Sequence, residues 1–377
     1  MLRLASLVSL LFLTLSQTLV SGSPCVSFDA NFNLLALGFG GKDWNVGTQD
    51  VWATATTATD ITTTGRPPFD GTGTTCYLAQ FFNAVYVLNG DAKNPNSIYI
   101  YDAGAKSWST QVTTPGSFSY SSFDAILDHD TNVFYALSTN GSLYNLDMGT
   151  MKTANSTAIA WNNVQQPPFP ANYKPVMALA QNHIHFLDVG TDGPGNARIF
   201  VIHYSYFQPE VQSYPGSKTF PATHGQATSF FNQTGVQQEF AFIPDDFSST
   251  YVINVENNST RTLPPPTVQD TKSSYVAGIT SLVQLDSAGS VFFVPYTPGD
   301  DTVNVNAAWS SVKSLVGLVS TANLQSNSTS NSTSGNQTSN SNSTNSTPSD
   351  HDGAPSSYPV TSGLVGLAVL FAILGFF

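Results

Sequence analysis

The sequence runs to 377 residues, carries 12 Lys and Arg against 24 Asp and Glu, and has a formal charge of −12. With so few bases and no basic run, the chain is not built to bind nucleic acid. At 41% apolar and 12% aromatic it is not disordered throughout, and its length suits one large domain or two small ones.

Residues 1–22 read as a secretory signal. Arg3 supplies the positive start, Leu4 to Val20 is apolar, and Val20 and Gly22 stand three residues and one residue before a cut at Ser23. Residues 23–324 then show short apolar runs with no sustained 3.6-residue period. Six runs recur, starting at Leu34, Val85, Val133, Ile184, Phe240 and Val291, spaced by 51, 48, 51, 56 and 51 residues.

Each run is flanked by further strands. One precedes it, over 25–29, 76–81, 123–127, 176–180, 226–231 and 277–285; another follows, over 51–56, 97–102, 142–147, 198–204, 250–256 and 302–308. A looser polar strand comes fourth, as at 108–113 and 157–162, and turns such as Asp128-His-Asp-Thr-Asn and Asp286-Ser-Ala-Gly fit hairpins. A four-stranded unit cannot cover both its faces alone. Six of them stacked in a ring can, which predicts an all-β fold, a six-bladed β-propeller with four antiparallel strands per blade.

Blade two carries Val85-Tyr-Val-Leu-Asn-Gly, then Ser97-Ile-Tyr-Ile-Tyr-Asp, then Trp108 seven residues after Tyr101; blade one carries Gly40-Gly41. These residues resemble the kelch-repeat propellers, whose blades have a Gly pair after the second strand and a Tyr and Trp further on. Asn89-Gly90 stands in the pair's place in blade two; blades three to six lack both the pair and a Trp at that spacing, although Trp161 and Trp309 lie nearby, so the resemblance covers the domain by period and two blades by motif. The resemblance implies a fold and no reaction.

Cys25 and Cys76 are 51 residues apart, one repeat, at matching positions of neighbouring first strands. In an oxidising compartment they are expected to pair.

Loops between second and third strands gather on one face of a propeller. Here they are expected to hold Asp43 and Trp44, Asp91 and Lys93, Asp192, Asp245 and Asp246, and Asp300 and Asp301. Such a rim would hydrogen-bond sugar hydroxyls, with Trp44 as a stacking face, or hold Ca²⁺ weakly. The plainer reading is that Asp is a good turn residue. His183 and His185 share one side of a strand, with His203 and His224 in the same or the next blade; a Cu or Zn site needs three or four convergent ligands and spacing fixes only the first pair, so satisfied or surface histidines are the plainer reading.

No G-x-S-x-G elbow or H-E-x-x-H helix is present. Kelch propellers include copper-radical oxidases, which need a free Cys cross-linked to a Tyr, and both cysteines here are expected to be bonded. No cofactor is expected.

The domain carries N-glycosylation sequons at Asn140, Asn155, Asn232, Asn257 and Asn258. Residues 325–352 are almost wholly Ser, Asn and Thr, with sequons at Asn327, Asn331, Asn336, Asn342 and Asn345. That composition predicts a disordered, sugar-coated stalk. The small residues Asp352, Gly353 and Ala354, a polar spacer and the apolar run Gly363 to Phe377 form a glycosylphosphatidylinositol (GPI) anchor signal. Asp352 is the expected attachment residue, and residues 353–377 would be removed. Stalk and anchor resemble those of fungal cell-surface proteins. The whole reads as a binding module for a carbohydrate or protein at the cell surface or wall, with a glycan-active enzyme (glycosidase or copper oxidase) as the alternative; the oligomeric state is not legible.

Overall fold

The structure is a computed structural model that describes residues 22–318 apart from 168, 170–173, 190–196, 204–205, 208–211, 215–220 and 222. The expected signal segment 1–21, the stalk with its sequons Asn327 to Asn345, the anchor segment with Asp352, and Asp192 therefore lie outside the described residues.

Six sheets follow one another along the chain, each with its places filled by antiparallel strands in chain order. Blade 1 comprises Cys25–Phe28, Leu34–Phe39, Lys42–Gly47 and Thr59–Asp60; blade 2 comprises Thr75–Ala79, Ala84–Leu88, Ser97–Asp102 and Ser107–Thr114. In blade 3, Phe123–Asp128, Val133–Ser138 and Leu143–Asp147 are joined by Asn162–Gln165. Blade 4 runs Val176–Ala180, His183–Val189 and Ala197–His203, and its fourth place is shared by Tyr206–Phe207 and Gln212–Tyr214. Blade 5 is Gly225–Ser229, Glu239–Pro244, Thr250–Asn254 and Ser259–Leu263; blade 6 is Ser274–Ala277, Ser281–Leu285, Val291–Pro295 and Ser310–Ser311. This is the six-bladed propeller expected from the repeat. No helix among the described residues is long and apolar enough to cross a membrane.

Strand alternation explains the packing. Successive side chains point to opposite faces, so each blade buries one set against each neighbour. Leu34 and Ala36 pack with Val283, Leu285 and Phe293 of blade 6. Leu35 and Leu37, between them in sequence, pack with Val85 and Val87 of blade 2. Four more clusters fill the remaining interfaces, from Tyr86 with Phe134 between blades 2 and 3 to Ile243 with Tyr296 between blades 5 and 6.

The strand assignments differ from expectation in three places. In blade 1 the third strand is Lys42–Gly47, because Gly40 (φ 59°) and Gly41 (φ 78°) form a two-residue hairpin turn that needs positive φ at both positions. The expected strand 51–56 opens instead as a helical turn, Gln49–Trp52, which carries the Trp52 indole into the core against Phe28 and Phe293. In blade 6 the run 277–285 breaks at Gly278, so Val291–Pro295 is the third strand and the expected strand 302–308 contains the short helix Asp301–Asn304. Asp300 caps that helix by accepting from Thr302 N and Val303 N. In the third place, Ile159–Ala160 leaves blade 3 and runs parallel to Ser107–Thr114 of blade 2.

Cys25 and Cys76 are joined in a disulfide between the inner strands of blades 1 and 2. Closing a loop of 51 residues contributes about 4 kcal/mol. Replacing both by Ser should lower the thermal midpoint by several degrees while the far-ultraviolet spectrum keeps its β signature. An unchanged midpoint in the double variant would show that blade packing alone sets stability.

Candidate functional site

The topology defines two faces. Turns between second and third strands, and the links from one blade to the next, lie on one face. Turns between first and second strands, and between third and fourth, lie on the other.

Among the described residues the predicted carboxylates are distributed across both faces and are bonded within the protein. Asp43 is buried on its strand, where Oδ1 accepts from Arg66 Nη2 at 2.7 Å and Oδ2 from Arg66 Nε at 2.9 Å, with Gly38 N also on Oδ1 at 2.9 Å. Removing the guanidinium would strand a buried charge, so this pair is part of the framework. Trp44 is half-buried, donates to Phe39 O at 3.0 Å and lies 5.5 Å from the Lys42 ammonium. Asp91 is buried and accepts from Lys93 N, Asn94 N, Asn94 Nδ2 and Tyr99 OH. Burial pushes its carboxyl up, but the bonds from Asn94, Tyr99 and the backbone outweigh this and hold it below its ordinary value. Asp246 accepts from Ser248 N, and Asp245 lies 3.6 Å from His224 Nδ1.

Asp300 and Asp301 do not belong with these. They follow the third strand of blade 6, which places them on the opposite face. The Thr302 hydroxyl and the helix N–H groups hold Asp300 below its ordinary value, and Asp301 pairs with Arg261 Nε at 2.8 Å. The sequon residue Asn140 sits with Asp43 and Asp91 on the first face. By the same strand order Asn155, Asn232, Asn257 and Asn258 sit on the second. Asn232 and Asn257 border a cavity of about 260 Å³ that also holds Glu239 and Arg261.

His183 and His185 do lie on one side of their strand, with ring centroids 6.5 Å apart. His183 Nδ1 meets Gln181 O and His185 Nε2 meets Ala180 O at 3.1 Å. Burial drives His185 down to about 4, so its ring is neutral at ordinary pH. Among the described residues no third ligand joins the pair at chelating distance.

A different site emerges on the axis. The inner strands of all six blades enclose a channel of about 220 Å³, whose polar lining includes Thr75, Asp124, Gln226, Thr228, Ser229 and Ser274. One end is plugged. Phe231, from the 230–238 loop of blade 5, lies 5.5 Å from Phe32 of blade 1 and 5.2 Å from His129 of blade 3, which requires it to cross the axis. The same loop bonds to blade 6 through Phe231 N and Gly278 O, and to blade 4 through Gln181 N and Gln237 O.

Toward the other end lies Asp124, second residue of its strand. Its carboxyl is reached by solvent yet walled by the six inner strands. That enclosure pushes its pKa up to about 6, against the pull of the Met177 and Ala125 N–H groups and of His224. Tyr77, which donates to Ala125 O at 3.2 Å, is raised by burial and by the Asp124 charge.

A second cavity of about 700 Å³ adjoins this end. Thr74, Thr75 and Ser274 line both, and the larger one adds Arg66, Lys272 and the glycine-rich turns 38–41, 71–73 and 286–289. Gly38 (φ 88°) permits its floor, because a Cβ there would come within 2.7 Å of the Phe69 ring. Gln237 Oε1, on a channel-lining residue, is buried without a protein partner, and the buried Thr75 Oγ1 has only the Tyr77 hydroxyl to bond. Such atoms take water or ligand. The sequence pointed to neither Asp124 nor this cleft: Asp124 reads there as the polar position of an alternating strand.

Because Asp124 is protonated more readily folded than unfolded, the native chain binds extra proton between the ordinary carboxylate value near 3.9 and about 6. Its contribution to stability is therefore full at low pH and is lost as pH rises through about 6. Asp124→Asn should gain in denaturation midpoint relative to the wild type from pH 4 to pH 7, then run parallel. A pH-independent difference would mean that the carboxyl titrates normally.

No family model matches the sequence, and no curated protein matches it. Among solved structures the chain is similar to that of YjhT, at 9% identity over 76% of this chain and 97% of that one, with a TM-score of 0.47. It is also similar to a chain of a nidogen/laminin complex, at 11% identity over 64% of this chain and 80% of that one, with a TM-score of 0.38. At these scores the likeness says nothing about the site.

Proposed function

We propose that this is a kelch-like, GPI-anchored cell-surface propeller that binds a saccharide in the cleft at the open end of its channel. The observation that carries the reading is the continuity of the 700 Å³ cleft with a polar channel that contains the orphaned Gln237 Oε1. A cleft of that size suits a small ligand. Its Ser, Thr and Gln groups both donate and accept, as a polyhydroxylated ligand requires. The kelch reading is supported by the Gly40-Gly41 hairpin and by Tyr101 and Trp108, which face each other across neighbouring strands with rings 5.0 Å apart. A Cys–Tyr copper-radical centre finds no support, since both cysteines are in the disulfide.

On a glycan array the purified ectodomain should bind a discrete saccharide class. Asp124→Asn, Gln226→Ala and Lys272→Ala should each weaken it about tenfold or more, as loss of one buried hydrogen bond or charge contact does. Asp300→Ala, on the opposite face, should leave binding unchanged. Turnover of a bound glycan that vanishes in Asp124→Asn would instead favour the enzyme reading. Signal and anchor are tested separately: a phosphatidylinositol-specific phospholipase should release the protein from cells, and continued membrane retention would point to a spanning tail.

A further inference from the structure

We propose that Asp128, His129 and Asp130 form a binding site for a divalent transition-metal ion of the Zn²⁺ class at the plugged end of the channel. The three residues end the inner strand of blade 3 and begin its turn into Val133–Ser138. One ligand atom from each lies within 4.8 Å of the other two.

The local bonding leaves this group incomplete. Asp128 Oδ1 accepts from Asp130 N at 3.1 Å and its Oδ2 from Thr131 Oγ1 at 2.6 Å, which leaves lone pairs on both oxygens. Asp130 Oδ2 is buried with no hydrogen-bond partner. His129 is only 4% exposed, and its Nδ1 is also buried without a hydrogen-bond partner, 4.0 Å from Asp130 Oδ1. The imidazole is held there by ring contacts, stacked on Phe81 at 5.8 Å and edge-on to Phe231 at 5.2 Å. Among the described residues no Lys or Arg pairs with either carboxylate.

Two carboxylates and a fixed, orphaned imidazole nitrogen call for a cation. A nitrogen donor in a set of three disfavours Ca²⁺, which takes six to eight oxygens, and suits Zn²⁺ or its neighbours. Ligand bonds of about 2.0–2.2 Å place tetrahedral donors roughly 3.4 Å apart, so the 4.0 Å gap between Nδ1 and Oδ1 must close by roughly half an ångström and a gap at the 4.8 Å bound by more, through side-chain rotation. A cavity of about 50 Å³ beside Asp128 and Asp130, bordered by Asn182 of blade 4, leaves room for the ion's remaining water. Since His129 also abuts Phe231, a bound ion would stiffen the plug.

The test is titration of chelator-treated ectodomain with Co²⁺, followed by visible d–d absorption, and with Zn²⁺ by calorimetry. One ion per chain should bind, with Zn²⁺ displacing Co²⁺ and raising the thermal midpoint. His129→Phe keeps both ring contacts while removing the donor, and Asp130→Asn removes one charge. Each should weaken binding by roughly a hundredfold, the upper end of what even indirect ligand supports contribute. The proposal is overturned if the wild type binds neither ion below millimolar concentration, or if binding survives in both variants. Should either variant misfold, the wild-type titration and its midpoint shift still decide the question.

Discussion

The rest of the structure depends on the closing interface between blade 6 and blade 1. Every blade has two apolar faces, so an open stack of six would leave one face of each terminal blade in water. Burying a single Leu or Phe side chain is worth about 1.5–3 kcal/mol, and this interface buries Leu34, Ala36, Val283, Leu285 and Phe293 together. No strand is exchanged across it, because the sheets of blades 1 and 6 are each built from consecutive segments. Closure therefore rests on side-chain fit. Trp52 is its centrepiece: fully buried, edge-on to Phe293 at 5.2 Å and tied to Gly47 O by its indole N–H at 2.8 Å. The chain sacrifices a regular link in blade 1 to deliver that indole.

Closure also creates the site. Once six inner strands are held in a ring, their edges surround a space too narrow for a core and too polar to collapse. Asp124 is placed there by register alone, on the second residue of a strand whose Leu127 is core. Its shifted ionisation follows from the walls around it, and the walls exist only because the ring is shut. The long 230–238 turn of blade 5 then gives the channel a direction, by sealing one end with Phe231.

How much of this was legible in the sequence can be judged residue by residue. The repeat exposed the architecture because alternation and period are direct consequences of two-sided burial. The inner strand Val176–Ala180 falls where expected to the residue. Blade 6 slipped by one strand: the long loop in blade 5 shortens the spacing between second strands there, and Val291–Pro295 fell on the period by coincidence. Gly40-Gly41 is a two-residue turn signal in its own right, and that turn is what starts the third strand at Lys42. Cys25 and Cys76 paired as expected, since matching positions of adjacent inner strands bring their Cα atoms to 5.8 Å.

The site was less legible, for a physical reason. A carboxylate in a turn looks the same in sequence whether it meets a ligand or its own backbone, and the structure shows the latter for Asp91, Asp246 and Asp300. A carboxylate inside a strand looks like ordinary alternation, and only the closed ring reveals that Asp124 faces a channel. Cooperation between distant segments is invisible in the same way: Thr75 and Ser274 are about 200 residues apart and line one cleft. What local pattern can report is which residues must be buried, and from that the ring. The ring in turn decides which polar groups lack partners. In a propeller, function is read from the few polar atoms that burial leaves unsatisfied, and here those include Gln237 Oε1 and His129 Nδ1, both on residues that line the axis.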